Sequence, residues 1–261
     1  MRILVTNDDG IHAQGIHNLI KELSSVAEIY LVAPDRERSG TGHSITVFDP
    51  IRVVKTNLPG VKQGWIVGGT PVDCVKIAIA RLIDSQIDLV VSGINHGPNL
   101  GTDVLYSGTV SAAAEGVIMG CPALAVSLDS FKDEQDFNFT ARFTRRMVNI
   151  LVQEGINKNT LVNINVPDLP ESNIKGVKIT QLGVRNYDNL FEERKDPRGN
   201  TYYWLGGGVL KEEQHEESDV YAVQQGFISV TPIKLDLTDY QLIRDYRNLS
   251  ADFFNRLMRD D

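Results

Sequence analysis

The chain has 261 residues, 42% of them hydrophobic and 23% charged, the balance of a globular protein rather than of a disordered one. Its 26 basic and 34 acidic side chains leave a formal charge of −8, which argues against a nucleic-acid polymer or an anionic membrane surface as the main partner. A small phosphorylated ligand stays compatible, because a local metal or a helix terminus can outweigh the global field. No stretch approaches the roughly 20 apolar residues of a membrane span, and Asp8-Asp9 arrives before a signal-peptide apolar region could be completed. Cys74 and Cys121 suit a reducing cytoplasm and are expected to be inert buried thiols.

In chain order, Arg2–Thr6 reads as a buried strand ending at Asn7-Asp8-Asp9-Gly10. Ile16, Leu19, Ile20 and Leu23 share one helix face, and residues 28–33 form a strand stopped by Pro34. Thr70 and Pro71 are a helix cap and first helical residue, with Val72, Val75, Ile79 and Leu82 continuing one face. A strand at 87–92, a small-residue helix at 109–119, a strand at 123–127, a helix around 139–152 and a strand at 161–166 complete the alternation. Repeated βα units imply a Rossmann-like α/β fold, a mostly parallel sheet with helices on both faces.

From about Lys175 the pattern changes. Strands are expected at 177–182, 201–205, 220–223 and 227–231 without intervening helices, and a terminal helix at 240–258 on the spacing of Leu242, Tyr246, Leu249, Phe253 and Leu257. The acidic run 211–217 is expected to be a solvated hairpin tip. The expected organisation is therefore a Rossmann-like catalytic core over 1–174 and a smaller hairpin-rich region with a terminal helix over 175–261, both contributing to one overall domain. The terminal helix would suit exchange between subunits.

Three polar clusters follow strands, where ligands bind in such sheets. Adjacent Asp8 and Asp9 repel unless a cation sits beside them, and oxygen ligands suit Mg²⁺ or Mn²⁺; the competing reading is an ordinary Asn-Asp-Gly turn. The loop 33–44 carries two arginines, Arg36 and Arg38, that offer charge to phosphate, hydroxyls at Ser39 and Thr41, and glycines at 40 and 42 that allow close backbone approach. It matches neither the dinucleotide fingerprint nor the phosphate-binding loop of nucleotide triphosphatases. The long connection 92–109 offers Asn95 as a neutral oxygen for a cation, Asn99 as a donor to phosphate oxygens, and Ser107-Gly108-Thr109 as hydroxyls and N–H groups at a helix start. His96 is tempting as a base, but a loop histidine beside glycine is more often solvated. Tyr106, Tyr187 and Tyr202 could stack on a base, although such aromatics more often serve packing.

The succession Ile3-Leu4-Val5-Thr6-Asn7-Asp8-Asp9-Gly10, then Ala33-Pro34 with Ser39-Gly40, then Val91-Ser92-Gly93-Ile94-Asn95 through Ser107-Gly108-Thr109-Val110-Ser111-Ala112-Ala113, resembles the SurE family of 5′/3′-nucleotidases. Gly226–Pro232, with Asp236 after it, is similar to that family's C-terminal motif. The resemblance implies a divalent-metal-dependent phosphomonoesterase acting on nucleoside 5′- and 3′-monophosphates. It implies one Mg²⁺ or Mn²⁺ held by Asp8, Asp9, Ser39 and Asn95, phosphate contacts from Asn99, Ser107, Gly108 and Thr109, and a homodimer or homotetramer assembled through C-terminal elements. The expected chemistry is in-line attack by metal-activated water, with Asp8 or Asp9 steering or relaying its proton; a phospho-aspartyl route through Asp8 is the lesser option. The alternatives are a non-catalytic nucleotide-binding protein and a phosphoacceptor regulatory domain, the latter usually near half this length.

Overall fold

Ile3, Leu4, Val5 and Thr6 are all buried, and the strand they form sits inside the sheet rather than at its edge. The computed structural model describes residues 1–132, 134–155, 157–188, 191–210, 213–249 and 255–258. In chain order its strands are β1 (Arg2–Thr6), β2 (Glu28–Pro34), β3 (Val53–Thr56), β4 (Val61–Val67), β5 (Leu89–His96), β6 (Ala123–Asp129), β7 (Leu161–Pro167), β8 (Val177–Ile179), β9 (Phe191–Lys195), β10 (Thr201–Leu205) and β11 (Ile228–Ile233). Its α-helices are α1 (Gln14–Leu23), α2 (Pro71–Ile77), α3 (Gly108–Ile118), α4 (Asn138–Glu154), α5 (Asp219–Gln224) and α6 (Tyr240–Asn248).

The described residues form one sheet in the order β3-β4-β2-β1-β5-β6-β7-β11-β8 and a separate antiparallel pair, β9 with β10. Pairing is parallel from β4 through β7. β3 and β11 run antiparallel to β4 and β7. This is the expected mostly parallel α/β sheet, and the period-two alternation of β1 distributes its side chains between two helical layers. Ile3 and Val5 share a core with Ile16, Leu19 and Leu23 of α1 and Ala141 and Val148 of α4, whereas Leu4 joins Cys74 and Val75 of α2 and Ala112 and Ala113 of α3.

Small residues set two close approaches. An added Cβ on Gly116 of α3 would lie 2.7 Å from Val90 Cγ2, so that helix lies close against β5. An added Cβ on Gly15 of α1 would lie 2.1 Å from the Ile94 carbonyl oxygen. α2 begins as its sequence indicates: Thr70 Oγ1 accepts from Asp73 N at 3.1 Å while Asp73 Oδ2 accepts from Thr70 N at 2.9 Å. The helix continues through one wider turn at Ala78–Leu82. Both cysteines are buried and unpaired, with their thiols pushed up by burial.

Several expectations fail locally. The strand expected at 220–223 is instead α5, because the Ser218 hydroxyl caps a helix by accepting from Tyr221 N at 3.1 Å. The edge strand β3 and its neighbour β4 were not expected, since Lys62-Gln63-Gly64 interrupts the apolar run of β4; pairing with β2 and β3 makes β4 a strand despite that. β9 was also missed: Phe-Glu-Glu-Arg-Lys is exposed throughout and becomes a strand through β10 and the turn in which Asp196 accepts from Arg198 N and Asn200 N. The hairpin tip is that turn and not the acidic run. Lys211 and Glu212 lie outside the described residues, while Gln214 is engaged, its Nε2 donating to Val184 O at 2.8 Å. The first part of the expected terminal helix ends at Asn248, where Leu249 becomes extended, and residues 255–257 are helical again; Phe253 lies outside the described residues. β8 and β11 come from the part of the chain after residue 174 yet belong to the main sheet.

The Gly15 contact is with backbone, which cannot swing aside. Gly15→Ala should destabilise by about 1–3 kcal/mol, lowering Tm by roughly 2–12 °C in a chain of this size. Gly68→Ala, whose Cβ would meet nothing nearer than 3.7 Å, should change Tm much less in the same melting experiment.

Candidate active site

The strand order places β2 on one side of β1 and β5 on the other, so the chain leaves β1 in one direction and returns in the opposite one. A crevice opens beyond the carboxyl ends of strands at such a reversal. Asn7-Asp8-Asp9-Gly10 leads out of β1 into it. Asn7 Nδ2 donates to Gly10 O at 2.9 Å and closes the turn. Gly10 has φ +92°, and an added Cβ would lie 2.8 Å from the Arg36 carbonyl carbon, so only glycine lets the next loop come this close. Arg38 N then donates to the Asp8 carbonyl at 2.7 Å, tying residues 35–44 to the acidic turn.

Asp8 is buried, and the Thr109 hydroxyl donates to its Oδ1. The N-terminus of α3 reaches Asp8 because residue 108 is glycine: an added Cβ there would lie 2.8 Å from Asp8 Cβ. His96 N donates to Asp9 Oδ2 at 3.0 Å. Burial raises the Asp8 carboxyl to about 6, although the Thr109 hydroxyl and nearby N–H groups favour its ionised form. Burial and then the neighbouring Asp8 charge raise Asp9 to about 7, and the Glu37 carboxylate adds to the negative field on both.

None of the ion pairs among the described residues involves Asp8 or Asp9. The Asn7 carboxamide oxygen is buried beside them without a hydrogen-bond partner. A buried acid, a half-buried one and an orphaned amide oxygen form a donor set that fits a hard divalent cation. Among the described residues no group of three His, Cys, Asp or Glu side chains forms a metal cluster, so further coordination would come from neutral oxygens.

The remaining expected residues are positioned unequally. Asn95 ends β5 beside His96, with its Nδ2 donating to Gly97 O at 2.8 Å, which commits its amide nitrogen to the turn. Ser39 is exposed, and its hydroxyl donates to Glu37 Oε1 at 2.8 Å; it reaches the acids only through the backbone tie of Arg38. Ser107 caps α3, accepting from Val110 N at 3.1 Å, which leaves its O–H free to donate. Asn99 is buried: its Nδ2 donates to Ser127 Oγ at 2.8 Å, its N–H donates to Asn165 Oδ1 at 2.8 Å, and its carbonyl accepts from Asn163 and Asn165 at 2.7 and 3.0 Å. His96 is exposed. Tyr187 is committed to structure, donating to Asp103 Oδ2 at 2.7 Å, with its hydroxyl pushed up to about 12 by burial and that bond. Tyr202 lies on the hairpin, and Tyr106 is exposed directly before Ser107.

Residues that the sequence did not single out hold this loop in place. Asp219 Oδ2 accepts from Gly101 N at 2.9 Å and its Oδ1 from Gly183 N at 2.8 Å. Arg185 pairs with Asp103 at 2.8 Å. Glu115, buried in α3, pairs with Lys76 and is hydrogen-bonded to His43, each at 3.0 Å. Asparagines within a strand, Asn163 and Asn165 on β7, were the available signal, since burying an amide requires partners.

A family model described as Survival protein SurE matches residues 3–189. A 5′-nucleotidase SurE of Syntrophomonas wolfei is 66% identical over 261 residues, covering 100% of this chain and 99% of that protein. A 5′-nucleotidase SurE of Heliobacterium modesticaldum is 51% identical, covering 100% of this chain and 97% of its own length. A crystal structure of a SurE protein from Aquifex aeolicus superposes with a TM-score of 0.82 at 38% identity, covering 95% of this chain and 99% of that one.

The raised carboxyl values carry a sign. The folded chain holds protons on Asp8 and Asp9 that the unfolded chain has released, so without a cation the pair lowers stability as pH climbs from about 4 through about 7. In a chelator at pH 8, Asp9→Asn should therefore melt a few degrees above the native protein, and the gap should close near pH 4. Saturating Mn²⁺ should reverse the order at pH 8, as thermal denaturation would show.

Proposed function

The chain belongs to the SurE family, and from the site at the carboxyl edge of its sheet we propose that it hydrolyses nucleoside 5′- and 3′-monophosphates to nucleoside and phosphate with the help of one Mg²⁺ or Mn²⁺. The observation that carries this reading is the adjacent pair of buried Asp8 and half-buried Asp9, which no ion pair among the described residues neutralises, set against the start of α3. A divalent cation there would draw charge from the phosphate oxygens and lower the pKa of a water toward about 7.

The chain's own groups then divide the work. Asp8 and Asp9 carry the charge that retains the cation, with Ser39 and Asn95 supplying neutral oxygens. Thr109 and the His96 N–H orient the two carboxylates. The N–H groups at Gly108 and Thr109, with the free O–H of Ser107, suit the equatorial oxygens of a phosphate as charge shifts toward them. Asn99 would meet the phosphate through its second amide hydrogen, the first being held by Ser127. The carboxylate of Asp9, more accessible than that of Asp8, is placed to take the proton of the attacking water.

A homodimer or homotetramer built through the C-terminal region is part of the same reading. Phe191, Tyr203, Trp204 and Leu205 on the hairpin and Tyr240, Leu242 and Tyr246 on α6 are exposed, apolar side chains that a partner subunit would cover. Buried free thiols favour the cytoplasm. No described helix is long and apolar enough to cross a membrane.

Inorganic phosphate should be released from AMP or GMP with Mn²⁺ or Mg²⁺, and strong chelation should abolish it. Asp8→Asn and Asp9→Asn should each lower kcat by about a hundredfold or more while the circular dichroism spectrum is kept, and Ser39→Ala should cost about tenfold. Full turnover by both aspartate variants would refute the site. Light scattering should give the mass of two or four chains, and removal of residues 240–261 should reduce it.

A further inference from the structure

His96 connects the acidic pair to an aromatic ring that the fold leaves without a task. Its N–H donates to Asp9 Oδ2 at 3.0 Å, and its imidazole lies 6.2 Å from the ring of Phe131, with the planes at 48°. The next residue, Gly97, has φ +104°, and the Phe131 ring fills the place of its missing side chain: an added Cβ would lie 2.5 Å from Phe131 Cε1. One edge of the ring thus rests on the turn that closes β5. The rest stands in solvent, 73% exposed, and Phe131 belongs to none of the hydrophobic clusters among the described residues.

An exposed phenyl ring forgoes the stabilisation that burial would give it, yet the chain on either side is firmly tied. Ser130 Oγ and Lys132 Nζ both reach Asp168 Oδ2 at 2.7 Å. Gln135 Nε2 donates to Ser130 O at 3.1 Å and to Lys132 O at 2.8 Å. These bonds bracket residue 131 and hold its ring at the mouth of the site. A flat aromatic surface presented in this way is matched by another flat aromatic ring.

We propose that Phe131 is the platform on which the nucleobase of the substrate stacks, and that it separates nucleotides from phosphate esters lacking a base. The inference rests on the nucleotidase reading of the Asp8-Asp9 site. An ester with its phosphate at Asp9 and the start of α3 must send its sugar and base outward, and His96-Gly97 leads from Asp9 to this ring. Stacking needs only a π-face, which every base has, so Phe131 favours nucleotides as a class with little preference among bases.

The test compares AMP with ribose 5-phosphate, which keeps the phosphate and sugar but lacks the base, using the Mn²⁺-loaded full chain. In Phe131→Ala the KM for AMP should rise about tenfold with kcat little changed, while both constants for ribose 5-phosphate stay as in the native protein. Phe131→Tyr should retain the native KM for AMP. Equal losses on both esters, no loss on AMP, or a base-dependent loss that follows Tyr106→Ala instead would overturn the assignment. If the native protein releases phosphate from neither ester, the nucleotidase reading fails and this inference falls with it. If it hydrolyses AMP normally and only the Phe131 variants depart from expectation, the platform alone is wrong.

Discussion

Two adjacent carboxylates, one buried and one half-buried, with no ion-pair partner among the described residues, are the constraint around which this protein is organised. Burial pushes Asp8 to about 6 and Asp9 to about 7, so the folded chain at neutral pH carries an electrostatic cost that none of its own described ion pairs relieves. A fold selected only for stability would place such residues in solvent or pair them with lysine or arginine, as it does for buried Glu115 with Lys76. Leaving Asp8-Asp9 uncompensated makes sense when an external cation completes the charge balance.

The architecture around the pair serves to hold it steady. Parallel pairing on both sides of β1 sets the strand inside the sheet with Ile3–Thr6 buried, so its carboxyl end is a rigid departure point. Glycines at 10 and 108 let a loop and a helix start approach closer than a Cβ would allow. Thr109 and the His96 N–H then fix one oxygen of each carboxylate. A donor set preorganised in this way needs little rearrangement when charge develops on a bound ester.

The C-terminal region is coupled to this site through polar contacts and through a small apolar cluster of Leu100 with Val220 and Val223. Asp219 bridges Gly101 and Gly183, while Arg185 and Tyr187 both engage Asp103, so the loop between β5 and α3 is clamped by residues more than 80 positions away in sequence. Asn163 and Asn165 hold the same loop from β7 through the backbone of Asn99. The carboxyl edge of the sheet is therefore lined by buried amides and hydroxyls, and the connection that carries Ser107–Thr109 is ordered despite its length.

Much of this was legible from local sequence. The run Ile3–Thr6, the spacing of Ile16, Leu19, Ile20 and Leu23, the Thr70-Pro71 cap and the small residues of 109–119 each specify an element through short-range physics, namely alternation, helical period and capping, and the order of those elements implied a mostly parallel sheet. The acid pair directly after β1 and the Ser-Gly-Thr start of α3 stood out as polar clusters, and the fold brings them together where the Thr109 hydroxyl donates to Asp8. What only the tertiary structure decided depended on partners distant in sequence. β4 and β9 are strands because β2 and β10 pair with them, 220–223 is helical because Ser218 caps it, and Asn163, Asn165, Asp219 and Phe131 acquire their positions from contacts across the fold. A residue's period and neighbours reveal which face it buries; what it touches on that face is set by the packing of whole elements, which no local pattern encodes.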